Sequence, residues 1–283
     1  MPSATVNGTT LHYEVVGHGR PCLVVHGWPG TDHTYLRPGL DRLGERLRLL
    51  YYDHRGHGRS KGAGRDMVSV EQLADDAGAL AAHLADDQVL VIGHAHGASV
   101  AMETALRHPG RVAGLILVAA NPGELGMDES LIDALDTPAT PPEVEVLQRV
   151  PAETDDELEA TMGALALFFL HGEAADPEGV FALATFDALA AGRLMQSLNW
   201  WSAADRLGRL DVPMLVLVGR HDVLFPPAQA ERIRRRAQQA ELVVLDHSGH
   251  LPWVEEPDPF HDAVAAWLDR LEPAGPPAPA PAT

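Results

Sequence analysis

Cysteine is almost absent from this chain. The single one, Cys22, lies in the apolar run Cys22-Leu23-Val24-Val25, which rules out an intrachain disulfide and marks a buried structural thiol. Lysine is as scarce, since Lys61 is alone among 21 basic residues, and these face 40 acidic ones for a net charge of −19. A field of that sign repels phosphate backbones and anionic lipid, so nucleic acid and membrane surfaces are excluded as expected partners. No apolar run approaches the ~18 residues needed to span a bilayer, the longest candidates being residues 112–120 and 164–170. The opening Met1-Pro2-Ser3-Ala4-Thr5 has neither a basic n-region nor an apolar h-region. A cytoplasmic protein is the expectation.

What is present reads as an ordinary folded chain of 283 residues, 46% hydrophobic and 22% charged. Residues 22–26, 47–52, 88–92 and 115–119 are short and almost wholly apolar, as parallel strands covered on both faces should be, and residues 11–16 alternate weakly. Between them the spacing predicts helices over residues 35–43, 70–84 and 98–107, the second with Leu73, Ala77, Leu80 and Leu84 on one face and the third ended by His108-Pro109-Gly110. The alternation returns at 214–218, 229–237, 241–245 and 260–271. An open, doubly wound α/β sheet follows, with its active loops at the carboxyl ends of the strands.

Residues 121–210 break that rhythm. They are acidic, rich in Leu and Ala, and interrupted by Pro138, Pro141, Pro142, Pro151 and Pro177, which predicts several short helices: a helical cap inserted between core segments 1–120 and 211–272. The pairs Phe168-Phe169 and Trp200-Trp201 either line a ligand pocket or anchor this cap, and anchoring is the expected role. Residues 273–283, almost pure Pro and Ala, are expected to be a disordered tail.

The chemistry begins at Gly93-His94-Ala95-His96-Gly97, placed between a strand and a helix. This is the setting of a nucleophile elbow, Gly-x-Ser-x-Gly, whose sharp turn raises the central side chain above the sheet at a strained positive φ. Here the centre is Ala95, which gains nothing from that strain. Asp222 follows the strand at 214–218, and His250 follows the one at 241–245, so nucleophile position, acid and histidine occur in the chain order of a hydrolase triad. Either residue alone reads as a solvated side chain; their joint placement reverses that. His26-Gly27-Trp28-Pro29-Gly30 supplies an oxyanion turn, in which the amides of Trp28 and His96 converge, at ~3–4 kcal/mol per donor in comparable sites. Gly17-His18-Gly19 precedes a strand and is no dinucleotide loop, the P-loop pattern is missing, and there is no His-Glu-x-x-His, so neither cofactor nor metal is expected.

On these motifs the chain resembles the α/β-hydrolases and is similar, more narrowly, to the proline iminopeptidase-like serine aminopeptidases, whose signatures include His-Gly-Gly-Pro-Gly and Gly-x-Ser-x-Gly-Gly. Tyr51-Tyr52-Asp53-His54-Arg55-Gly56-His57-Gly58-Arg59-Ser60 and the stretch from Ser248 to Pro257 carry the same likeness, which covers about residues 5–271 and is weakest through the cap. Trp28 replaces the second glycine of the turn, Ala98 the last elbow glycine, and Ala95 the nucleophile. The resemblance implies an α/β-hydrolase fold and cleavage of an N-terminal aminoacyl residue from a small peptide or amide through an acyl-enzyme. It also implies an acidic cap residue for the substrate ammonium, Glu173 first and Asp187 behind it. Esterase or lactonase action is the alternative reaction. Ala95 itself is expected to be an engineered serine-to-alanine change that leaves the chain inert, because Asp222, His250 and the oxyanion turn persist. Natural loss of activity, leaving a ligand-binding protein, and a flanking histidine acting as nucleophile remain the other readings.

Overall fold

The computed structural model describes residues 2–62, 67–123, 152–171 and 177–271. Eight strands form one sheet: β1 (Ser3–Val6), β2 (Thr9–Val16), β3 (Arg20–Val25), β4 (Leu47–Tyr52), β5 (Val89–His94), β6 (Val112–Val118), β7 (Met214–Gly219) and β8 (Ala240–Leu245). Their order is β1-β2-β4-β3-β5-β6-β7-β8. The first two strands pair antiparallel, and β4 through β8 are parallel. The α/β class and its doubly wound, mostly parallel sheet are therefore as the apolar runs implied.

Side-chain alternation divides the interior between the two faces of the sheet. Leu23, Val25, Val91, Leu115 and Leu117 join one buried cluster, and Cys22, Val24, Leu90, Ile92 and Ile116 join the other. Cys22 is fully buried, and burial pushes its thiol up to about 12. β1 was not legible as a run. It is a short edge strand closed onto β2 by Asn7-Gly8, both at positive φ, the pair of residues a tight hairpin turn favours.

Among the described residues six α-helices lie outside the expected cap: α1 (Arg37–Leu40), α2 (Val70–Leu84), α3 (His96–Arg107) and three met near the C-terminus below. Ser69 caps α2 by accepting from the amide of Gln72 at 3.2 Å, which starts the helix where the apolar spacing begins. The single helix expected over 35–43 is instead three short pieces, with 3₁₀ turns at His33–Leu36 and Asp41–Glu45 on either side of α1. Pro38 sits in the first turn of α1, and Gly39 packs so tightly under the Trp253 ring that no β-carbon fits there.

Within the expected cap interval the described residues form three α-helices, α4 (Asp155–Phe169), α5 (Pro177–Val180) and α6 (Ala188–Leu198), joined by irregular chain. A capping box of Thr154 and Glu157 starts α4, and Asp187 caps α6. Beyond them come α7 (Pro227–Arg236), α8 (Pro252–Glu255) and α9 (Pro257–Arg270). The inserted chain is tied directly to the turn after β3. Thr31 bridges Phe186, the Asp187 amide donates to the Gly30 carbonyl at 2.8 Å, and Asp32 Oδ2 accepts from the amide and hydroxyl of Thr185 at 3.2 and 2.9 Å. Among the described residues no helix is long and apolar enough to cross a membrane. The proline- and alanine-rich stretch 273–283 lies outside the described residues.

Candidate active site

β5 ends at His94 and α3 begins at His96, so Ala95 alone makes the turn between them, at φ 51° and ψ −122°. Its amide donates to the Val118 carbonyl of the neighbouring strand at 2.9 Å. Two glycines make this reversal possible. A β-carbon on Gly97 would run into the carbonyls of Val25 and His26, and one on Gly27 into the carbonyl of His94, so the elbow and the turn after β3 pack backbone against backbone. The residue at the apex is held in a strained conformation that suits an exposed nucleophile, and it is alanine.

β7 and β8 deliver the other two residues. His250 Nδ1 lies 2.8 Å from Asp222 Oδ2, with both side chains fully buried. The second carboxylate oxygen, Oδ1, accepts from the amides of Leu224 and Phe225, each at 2.9 Å. A carboxylate so placed only accepts, so Nδ1–H donates to it and the lone pair of the neutral imidazole falls on Nε2. That Nε2 is buried and has no hydrogen-bond partner among the described residues. The ring of His250 stands 4.8 Å from that of His94 and 5.6 Å from that of Phe225, which in turn stands 5.4 Å from His96. The histidine is thus seated against His94, with Phe225 packed beside both it and His96.

A buried relay, which nothing in the sequence singled out, connects the oxyanion turn to this histidine. The Gly27 amide donates to the Tyr35 hydroxyl at 3.0 Å, that hydroxyl donates to His94 Nδ1 at 3.0 Å, and His94 Nε2 donates to the His250 carbonyl at 3.1 Å. Burial holds His94 well below the ordinary histidine range, so it is neutral and this donor pattern is consistent along the chain. His96 Nδ1 lies 3.2 Å from the Gly27 carbonyl, and burial, with the nearby His250, pulls it down to about 4. Of the two expected oxyanion donors, His96 is the first residue of α3, so its amide has no partner within the helix. Trp28 sits in the facing turn, its amide directed with that of Gly27 toward the Tyr35 hydroxyl, which burial pushes well above the usual tyrosine range.

Aromatic rings wall the site. Trp28 is 4.5 Å from Phe169, 5.2 Å from His250 and 5.7 Å from Phe181, ring to ring, and Phe169 is 5.7 Å from His250. Phe169 therefore lines the site instead of only anchoring the inserted helices, while the Phe168 side chain lies outside the described residues. The tryptophan pair divides: Trp201 is buried with its indole nitrogen on Glu103 at 2.9 Å, and Trp200 is 89% exposed, so neither reaches His250. Glu173, the first choice for an ammonium partner, lies outside the described residues. Asp187, the second, is committed to capping α6 and to Lys61 at 3.3 Å. The structure thus brings Ala95, Asp222, His250, Trp28 and His96 together and adds Tyr35, His94, Phe169 and Phe225. Among the described residues no group of three or more His, Cys, Asp or Glu is placed to hold a metal ion.

Strand order, elbow and the order of these residues along the chain agree with a family assignment: the alpha/beta hydrolase fold model matches residues 21–257, and the chain belongs to that family of hydrolases. Among curated relatives, a Rhizobium rhizogenes protein assigned as the carbamate hydrolase RutD is 28% identical over 91% of this chain and 97% of its own length. The proline iminopeptidase PfmaB of Pestalotiopsis fici is 27% identical over 94% and 98%. Among solved structures, a thermophilic esterase from Thermogutta terrifontis superposes with a TM-score of 0.72 at 28% identity, covering 95% of this chain and 97% of that one.

Proposed function

We propose that this chain carries the site of a serine-type acyl hydrolase whose nucleophile position is filled by Ala95, so that it is nearly inert in hydrolysis as it stands. The observation that carries the reading is the Asp222–His250 pair, 2.8 Å apart, with a buried, unpartnered Nε2 beside an elbow still held at positive φ. In Ala95→Ser, His250 would take the serine proton, Asp222 would hold the imidazole tautomer, and the amide of His96 would receive the oxyanion of the tetrahedral intermediate that collapses to the acyl-enzyme. Removing the serine of such a triad costs ~10⁶ in turnover.

For the substrate, the described residues favour an ester of an apolar or aromatic acyl group. The wall is aromatic, and the described carboxylates near it are engaged: Asp222 on His250, Asp32 on Thr34 and Thr185, Asp187 on Lys61, and Glu255 on the amides of Gly249 and Leu251. Release of an N-terminal aminoacyl residue is the second reading. It is favoured by the likeness to a proline iminopeptidase and draws its ammonium partner from Glu173.

Ala95→Ser assayed on p-nitrophenyl esters, aminoacyl anilides and N-acetylated aminoacyl anilides decides among these. Turnover should appear with the serine, vanish on adding His250→Ala, and fall by ~10⁴ on adding Asp222→Asn. Preference for free aminoacyl anilides supports the aminopeptidase reading, and preference for simple esters removes it. A folded Ala95→Ser protein that hydrolyses none of the three overturns the proposal in favour of a ligand-binding protein.

A further inference from the structure

An imidazole backed by a carboxylate is a base whether or not a serine stands before it. In this chain none does: the methyl of Ala95 neither donates nor accepts, so the lone pair on His250 Nε2 is left to whatever enters the site. We propose that the chain as written uses the Asp222–His250 pair as a general base acting directly on its ligand, drawing a proton from the carbon next to a carbonyl and producing an enolate. The proposal rests on that pair alone and requires no serine, so it stands apart from the hydrolytic reading.

Four features point the same way. Asp222 is fixed by the three hydrogen bonds it accepts, from His250 Nδ1–H at 2.8 Å and from two backbone amides, so it stabilises the imidazolium that forms without moving. Desolvation holds the nearby His94 and His96 below the ordinary histidine range, so neither opposes that charge. The His96 amide, at the first position of α3 directly after Ala95, has no partner within the helix and is the donor for an oxygen that gains negative charge beside position 95. The rings of Trp28, Phe169 and Phe225 stand 5.2 to 5.7 Å from His250, an apolar wall that selects a carbonyl compound bearing an aryl group. A cavity of about 100 Å³, lined by His96, Ser99, Asn121, Leu198, Trp201 and Phe225, meets this wall at Phe225.

The step balances without an added reagent. Nε2 takes the proton, the C–H pair becomes the carbon–carbon double bond of the enolate, and the carbonyl π pair moves onto oxygen under the His96 amide. Return of a proton from the imidazolium to carbon restores the ketone. In heavy water the returned atom is deuterium, and the net result is isotope exchange.

The test follows exchange of the benzylic protons of phenylacetone and of the methyl protons of acetophenone by proton NMR in D₂O. Both probes are ketones without a leaving group, so hydrolysis contributes nothing to the signal. The unaltered chain should exchange at least one of them ~10²-fold faster than buffer and than His250→Ala. Asp222→Asn should lose most of that gain, and Ala95→Ser should reduce it by placing a hydroxyl on Nε2 while bringing ester hydrolysis. Circular dichroism checks that each variant is folded, and if His250→Ala is not, buffer and Asp222→Asn serve as references. Exchange by the unaltered chain no faster than buffer with both ketones, or equal to that of folded Asp222→Asn, overturns the proposal, whatever Ala95→Ser does to esters.

Discussion

At the scale of single residues, the site shows what an elbow demands of whatever occupies it. Ala95 holds φ 51° with ψ −122°, a conformation that costs a residue with a β-carbon ~1–3 kcal/mol and that glycine adopts freely. Ala95→Gly should therefore raise stability by about 1 kcal/mol, read as a higher urea midpoint at unchanged slope, and a lower midpoint would show that the turn is unstrained. Tyr35 makes the opposite case. Its hydroxyl serves both the Gly27 amide and His94 Nδ1, so Tyr35→Phe strands two buried polar groups. A loss of about 1–3 kcal/mol is expected in the same denaturation experiment, whereas a surface tyrosine would lose almost nothing.

At the scale of elements, the turn after β3 and the inserted chain form one unit. Asp32 links them through both carboxylate oxygens, one on the amide and hydroxyl of Thr34 and the other on those of Thr185. The Thr34 hydroxyl also reaches the Leu183 carbonyl at 2.9 Å, and the Asp187 amide reaches Gly30. Asp32→Ala removes four of these bonds at once. Amide hydrogen exchange over residues 183–187 should then quicken by tenfold or more, the equivalent of ~1.4 kcal/mol in local opening, while β3, β5 and β6 keep their protection. Unchanged exchange at 183–187 would show that the bridge between Thr31 and Phe186 holds the segment without Asp32.

At the scale of the whole molecule, the distribution of histidines sets a limit on acidity. Burial lowers His26 and His94 well below the ordinary value, His54 to about 3, His96 to about 4, and His57 in the same direction. His26, His54 and His57 also crowd one another, with ring centroids 4.1 to 5.7 Å apart. Below the unfolded histidine value of about 6.5 the unfolded chain takes up protons that the native one refuses, so stability falls as pH falls. Each such histidine removes about 1.4 kcal/mol per pH unit over that range, against a total of ~5–15 kcal/mol. Cooperative unfolding between about pH 4 and 5.5 is the expected outcome in a circular dichroism titration. A chain still folded at pH 3 would mean that these histidines accept protons in place.

The sequence by itself determined what depends on local pattern: the strand at Leu47–Tyr52 and the helix at Val70–Leu84 were legible to the residue, because burial on one or both faces imposes a period on the apolar side chains. It also determined the order of position 95, Asp222 and His250, since each follows a strand and parallel strands bring their carboxyl ends to one edge. The edge strand Ser3–Val6 and the broken helix over 35–43 escaped that reading. A four-residue strand has too little period, and the change from 3₁₀ to α-helix and back on either side of Arg37–Leu40 leaves no mark on the apolar spacing. Only the tertiary structure decided that Tyr35, His94 and the His250 carbonyl form one relay, that Phe169 and Phe225 wall the base, and that Trp201 is buried where Trp200 is not. Contacts between residues so distant along the chain leave no spacing to read; they exist because the packed backbone brings those side chains within reach.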